Sequence, residues 1–346
     1  MRYKKRHFSL FPENENGIAL FLVLWVLTLL SVIVGEFCHT MRTEVNITRN
    51  FKEETQAYYI ATAGVNVAIA ELIKNKMTPR KPKPPDADVE AEEDEIEWRI
   101  NADIPAIPFA EGQFKVQIGN ESGKININKA GQRLLKMVLN RFELDDDAKA
   151  VITDSILDWR DKDNLHRLNG AEDDYYLSLP EPYECKDGNF DAIEELLLVR
   201  GITPEMFHRG LRDMVTIYGD EEQKKDGRKK SSASDKININ AASLQMLSSL
   251  PEMTDDLLEK IMEHREENDF KSLSELLPIV GDEVYSAVRP FLSSSGKSLS
   301  SFFTIKSVGT TEGSTTTRGV QVLVKIDTKT KDKYRIIKWV DDIGDW

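Results

Sequence analysis

The chain has little cysteine, no net basic charge and none of the common catalytic signatures. Its two cysteines, Cys38 and Cys185, lie far apart and suggest no disulfide framework. The five histidines (His7, His39, His166, His208 and His264) are scattered, with no HExxH and no Cys/His spacing for zinc. GxSxG, a phosphate loop and GxGxxG are missing as well, so the sequence points away from an enzyme. A net charge of −13 argues against a phosphate-binding surface and fits a solvated exterior that attracts cations. Proline is missing between Ile18 and Thr78, which leaves room for one long helix.

What is present begins with GIALFLVLWVLTLLSVIVG, residues 17 to 35, an uncharged run behind Arg2, Lys4, Lys5 and Arg6. Eighteen helical residues reach about 27 Å, close to the hydrocarbon thickness of a bilayer. The following flank carries Glu36 and Glu44 but only Arg42 before Arg49. The positive-inside rule therefore keeps the N-terminus cytoplasmic and exports the bulk of the chain. A cleaved secretory signal would have a shorter apolar core. Here the helical pattern continues through Met41, Val45, Thr48, Tyr59, Ala63, Ala68 and Leu72, which predicts a retained helix.

Prolines 79, 82, 84 and 85 and the acidic run from Asp86 to Glu97 then predict a loop. Glu97–Ile100 and Gly112–Ile118 read as strands, and so do Phe302–Val308, Gly319–Asp327 and Tyr334–Val340 near the C-terminus. Strands that bracket a helical block predict an α+β fold. A small antiparallel sheet packs on the long helix, and a large helical domain is inserted into it. The expected segments are a leader 1–17, a transmembrane helix 18–38, a sheet domain 39–123 completed by 299–346, helical repeats 124–218 and 236–298, and a linker 219–235.

The repeats are explicit. Lys124-Ile-Asn-Ile-Asn128 recurs as Lys236-Ile-Asn-Ile-Asn240, Asp158-Trp-Arg160 answers Glu263-His-Arg265, and the helix after Phe190 answers the one after Phe270. The offsets fall from 112 to 105 to 80, so the first copy carries its largest insertion between Arg160 and Phe190. Trp159, Arg160 and Trp339 read as packing anchors. The second copy looks like a helix-hairpin-helix module, which raises an alternative: an exported DNA receptor of a competence or type IV pilus. Its hairpin, Pro251-Glu-Met-Thr-Asp-Asp256, lacks the glycines that let backbone N–H groups approach phosphate and adds three carboxylates. Nucleic acid is therefore not an expected partner.

The insertion of the first copy is acidic. It offers Asp158, Asp161 and Asp163 in one turn and Glu172, Asp173 and Asp174 in the next, with Glu181, Glu184 and Asp187 beyond. Calcium takes six to eight oxygen ligands from such irregular chain. A solvated acidic loop is the plainer reading, but a long insertion without helix or strand pattern needs something to order it.

The junction Glu15-Asn-Gly17-Ile18-Ala-Leu20 resembles the class III signal of type IV pilins and type II secretion pseudopilins. The resemblance implies that a prepilin peptidase cuts after Gly17 and methylates Ile18. Most members carry glutamate at the fifth mature position, which is Leu22 here. A carboxylate in lipid is costly without a partner, and a subunit at the filament tip has none ahead of it. With the KININ repeats, the DWRDKD to GAEDDYY block and the C-terminal strands, the chain is similar to the minor pseudopilin K family of type II secretion. That resemblance implies a pseudopilin fold bearing helix-hairpin-helix-like (SAM-like) repeats and no catalysis. It implies calcium in the helical domain, and a tip role with I- and J-type minor pseudopilins, the major pseudopilin and the inner-membrane platform. The expected location is the bacterial inner membrane, single-pass, with the bulk of the chain periplasmic.

Overall fold

The structure is a computed structural model that describes residues 15–77, 96–220, 236–294 and 299–341. The expected leader up to residue 14, the proline-rich loop 78–95 and the linker's 221–235, including its basic cluster, lie outside the described residues. The chain divides into two compact units, Met1–Gln56 and Ala57–Trp346.

The described part of the first unit is helix. It belongs to α1, Glu15–Met77, which contains a stretch long and apolar enough to cross a membrane. Its side chains from Ile18 to Phe37 are exposed, as an apolar solvent requires. The hydroxyls of Thr28 and Ser31 donate to the carbonyls of Trp25 and Leu27, so these polar groups are satisfied within the helix.

In the second unit the last turns of α1 pack on a five-stranded antiparallel sheet. Its strands are β1 (Ile107–Phe109), β2 (Gly112–Asn120), β7 (Phe302–Thr311), β8 (Thr317–Ile326) and β9 (Tyr334–Asp341), in the order β1-β2-β7-β8-β9. Ile60, Ala61, Val65, Ala68 and Ile69 meet Phe114, Val116, Ile118, Ile305, Val322 and Val324 in one core. Glycines set the spacing: a Cβ on Gly309 would stand 2.2 Å from the Ala57 carbonyl, and one on Gly64 2.4 Å from Ser307 Oγ. The alternation of a half-buried sheet holds for β2 and β7; β8 departs from it, with Val322, Leu323 and Val324 buried in succession.

The expected strand at Glu97–Ile100 is not one. Trp98 packs into the sheet core, while Arg99 donates to the carbonyls of Arg265 and Glu266 at 3.3 and 2.7 Å. Asn101 then takes a left-handed φ of 56° and bonds Ala241 O at 3.0 Å. Groups that tie the sheet to the helical domain are not free to build a ladder.

β2 and β7 are neighbours in the sheet, yet the whole helical domain lies between them in sequence. Buried Asn120 closes the exit and return points. Its Nδ2 donates to the carbonyls of Ser300 and Phe302, and its Oδ1 accepts from Ser122 N and Ser300 N.

Each repeat closes by the same bonds. In the first, β3 (Ile125–Asn126) pairs in parallel with β4 (Val215–Thr216); in the second, β5 (Ile237–Asn238) pairs with β6 (Leu292–Ser293). Asn128 holds Phe190 by both backbone groups, at 2.8 and 3.0 Å, and Asn240 holds Phe270 in the same way at 2.9 and 3.0 Å. Arg160 donates to the carbonyls of Ile127 and Ala130; Arg265 donates to those of Ala242 and Asn240. Burial pushes the Arg265 guanidinium down to about 10, yet it stays charged. The polar letters of the KININ motif are thus internal fasteners. The apolar ones, Ile125, Ile127, Ile237 and Ile239, enter one core shared by both repeats.

Candidate metal centre

Helix α3, Asp146–Arg160, starts at Asp145, whose carboxylate accepts from Ala148 N at 2.7 Å. Its last turn presents Asp158 inward, fully buried, beside Trp159. The chain then turns back over the helix. Arg167 N donates to Asp158 at 3.0 Å, and the Arg167 guanidinium bonds both Asp158 and Asp161. Gly170 follows, where a Cβ would stand 1.7 Å from Asp158 Oδ2, so only glycine can cross here. Asn169 fastens the same loop to Asp154.

Beneath the loop lies an aromatic cluster. Trp159 meets Tyr176 edge to face at 5.2 Å, and Tyr176 stacks on Tyr183 at 5.3 Å. Tyr176 is wholly buried, on the short helix α4 (Asp173–Tyr176). Arg200 bonds Gly170 O at 3.0 Å and lies over the Tyr175 ring. This packing supplies much of the order that the insertion's irregular sequence lacks.

Glu172 is 1% exposed, and neither of its oxygens has a hydrogen bond of good geometry. Cys185 and Asp187 stand beside it, and one atom from each of the three lies within 4.8 Å of the others. One oxygen of Asp161 and one of Asp187 are also buried without a partner. A buried carboxylate oxygen with no donor is costly, and the gathering of such carboxylates, Glu172 and Asp187 in one close group, marks a place suited to a cation. The charges agree. Burial, and then repulsion from Asp158, Asp187 and Asp161, raises the Glu172 carboxyl to about 7; the Cys185 thiol, a weak donor, offsets this only partly. Burial also raises Asp158 despite Arg167, and raises the Cys185 thiol.

Of the six ligands expected from sequence, Asp158, Asp161 and Glu172 gather here. The other three are bonded elsewhere. Asp163 accepts from Leu165 N, Asp173 from Cys185 N and Asn164 Nδ2, and Asp174 from Tyr175 N. Asp187 and Cys185 enter the group instead. The one sequence signal for them was the acidic run itself; what brings them in is the turn at Asp187, which has a left-handed φ of 50°. Carboxylates at this spacing, with orphaned oxygens, suit a hard divalent ion such as calcium.

The expected processing residues, Gly17 and Ile18, both lie within α1. A Cβ on Gly17 would meet nothing within 4 Å, and Ile18 is 71% exposed.

In the second repeat, the hairpin between α7 (Leu244–Leu247) and α8 (Asp255–Glu267) retains a left-handed residue, Glu252, at φ 57°. The bend of a glycine hairpin survives without its glycine, and Asp255 and Asp256 occupy the first turn of α8.

Residues 115–220 match the first-domain family model of type II secretion system protein K, and residues 232–293 match that of the helix-hairpin-helix motif. The chain is similar to type II secretion system protein K of Pectobacterium carotovorum, 34% identical over 92 residues, which are 27% of this chain and 28% of that one. It is similar to the Aeromonas hydrophila protein of the same name, 25% identical over 57% of this chain and 62% of that one. The Pseudomonas aeruginosa protein is 23% identical over 75% of each chain. The matched stretches thus span well under two thirds of the Pectobacterium protein and just under two thirds of the Aeromonas protein. The fold is shared with a chain of the solved GspK-GspI-GspJ complex from the enterotoxigenic Escherichia coli type 2 secretion system. That likeness has a TM-score of 0.52 at 15% identity, and covers 86% of this chain and 99% of that one. Helix, sheet, inserted repeats and these relatives agree in what the chain is similar to: its first repeat matches the family model of type II secretion system protein K, and its fold is that of the solved complex's chain.

Proposed function

We propose that this chain is the minor pseudopilin at the tip of a type II secretion pseudopilus, where it initiates assembly and caps the filament. The observation that carries this is the large helical domain inserted between the adjacent strands β2 and β7 of a sheet packed on α1. A subunit burdened with such a domain suits a filament's end, where nothing need stack on it. The apolar stretch of α1 spans the inner membrane with its N-terminus in the cytoplasm and the bulk of the chain in the periplasm. A prepilin peptidase cuts between Gly17 and Ile18. I- and J-type minor pseudopilins are the immediate partners, and the major pseudopilin and the inner-membrane platform are the further ones. The role is structural, with no catalysis and no nucleic acid.

The membrane-extracted chain, expressed with candidate minor pseudopilins, is expected to copurify with them, and its intact mass is expected to begin at methylated Ile18. Loss of copurification, or an unprocessed mass in cells with active peptidase, overturns the reading. The competence-pilus reading draws on the helix-hairpin-helix match over 232–293. It is opposed by Glu252, Asp255 and Asp256, which put negative charge where phosphate would approach.

Calcium at Asp161, Glu172 and Asp187, with Asp158 buried behind them, is part of the same proposal. These residues would hold the calcium, which would supply positive charge among the gathered carboxylates. The chain's residues do the rest: Arg167 and Gly170 fold the loop over α3, and the aromatic cluster fixes Tyr176 beside Glu172.

A further inference from the structure

We infer that Cys185 is itself a ligand of this centre, which makes it a mixed oxygen–sulfur site that takes a thiophilic divalent ion such as zinc as well as calcium. The inference rests on the cation centre proposed above and adds the identity of the ion it can hold.

Cys185 Sγ and one oxygen each of Glu172 and Asp187 lie within 4.8 Å of one another. An ion bound at about 2.3 Å from sulfur and about 2.0–2.2 Å from oxygen holds its ligand atoms within about 4.5 Å of one another, a spacing that small side-chain rotations bring within reach of these three. The second sign of a ligand is Glu172, buried to 1% exposure, whose oxygens have no well-formed hydrogen bond and only the weak S–H of Cys185 beside them. Calcium prefers oxygen and would leave the sulfur idle, whereas thiolate selects zinc and softer ions.

The chain around Cys185 is built to hold it there. Its N–H donates to Asp173 Oδ1 at 2.8 Å, and two residues later Asp187 reverses the backbone. Lys186, between the two ligands, is the cation best placed in sequence to quench the site. It is instead drawn off by Asp191 at 2.7 Å and Glu195 at 2.8 Å. Arg167, the other nearby cation, is committed to Asp158 and Asp161. The second repeat contains no cysteine and cannot form such a centre.

The test uses the full chain in detergent, stripped of metal, with Cys38→Ser as background so that Cys185 is the sole thiol. Cadmium serves as the spectroscopic stand-in for zinc. The expected result is a cadmium–thiolate charge-transfer band that saturates at one equivalent, and protection of the thiol from alkylation by zinc. Adding Cys185→Ser should remove the band and weaken cadmium binding by about 10- to 100-fold or more, a range that outer-shell losses alone already reach. Calcium should still raise the melting temperature of that variant, which also shows that it is folded. A retained calcium shift with no cadmium band, or with alkylation unaffected by zinc, overturns thiol ligation and leaves the carboxylate centre standing. No response to any of the three ions removes the centre and this inference together.

Discussion

The two helical repeats use one set of fasteners for different ends. Both hold a phenylalanine by an asparagine and two carbonyls by an arginine, and both close with a parallel pair of two-residue strands. In the second, Arg265 leads almost directly to Phe270, and His264 lies 4.3 Å from that ring. In the first, Trp159 takes the corresponding place, and the long insertion between Arg160 and Phe190 carries the carboxylates, Arg167 and Cys185. The frame is therefore stable without a site, and the site is an addition to it. Asp158 is fully buried and ion-paired, while its counterpart Glu263 is exposed.

The comparison is broken most severely at the shared arginine. Arg265→Met removes two charge-assisted bonds and leaves the carbonyls of Ala242 and Asn240 buried, which should cost about 3 kcal/mol in urea unfolding. A loss well under 1 kcal/mol would mean that this arginine does not fasten the repeat.

Next comes the centre that only the first repeat has. Calcium at a hundredfold excess over its dissociation constant should stabilise the chain by about 2.7 kcal/mol. Glu172→Gln should abolish that gain, while Glu263→Gln, at a comparable helix end in the second repeat, should leave it intact. In chelator the Glu172→Gln protein should melt above wild type at pH 8, because the amide relieves repulsion among buried carboxylates. Thermal melts with calcium and with chelator read both outcomes.

The asparagine clasp separates the repeats by a smaller margin. Asn240→Ala should cost about 1–3 kcal/mol, since it orphans the Phe270 N–H. Asn128→Ala should cost as much in calcium and more in chelator, when the insertion beyond it is loosened.

The smallest effect is on pH dependence. Without metal, Glu172 has a folded pKa raised from 4.5 to about 7, so its contribution to stability is present below about 4.5 and is lost as pH rises through 7. A cation must displace that proton, so the calcium-induced shift in melting temperature should be larger at pH 8 than at pH 6. The Glu172→Gln protein should show neither trend.

How much of this was legible depended on distance along the chain. The repeat was readable because Lys124–Asn128 and Lys236–Asn240 are short and alike, and the sheet because alternation is local. Arg160 read as a packing anchor; in the structure it grips carbonyls, a role invisible without its partners. Asp163, Asp173 and Asp174 looked like ligands by spacing; Asp163 and Asp174 accept from backbone N–H groups in their own turns, while Asp173 accepts from Cys185 N and Asn164 Nδ2 across the insertion.

By itself the sequence determined the membrane-length apolar helix, the bracketed sheet, the doubled helical block and the acidic character of the insertion. Those follow from patterns spanning a few residues and from the physics of apolar burial. Only the tertiary structure decided which acids meet. Arg167 had to fold its loop onto Asp158, Gly170 had to let the chain cross, and the turn at Asp187 had to bring Cys185 back to Glu172. Convergence over some 30 residues depends on packing against Trp159 and Tyr176, and no local pattern encodes it.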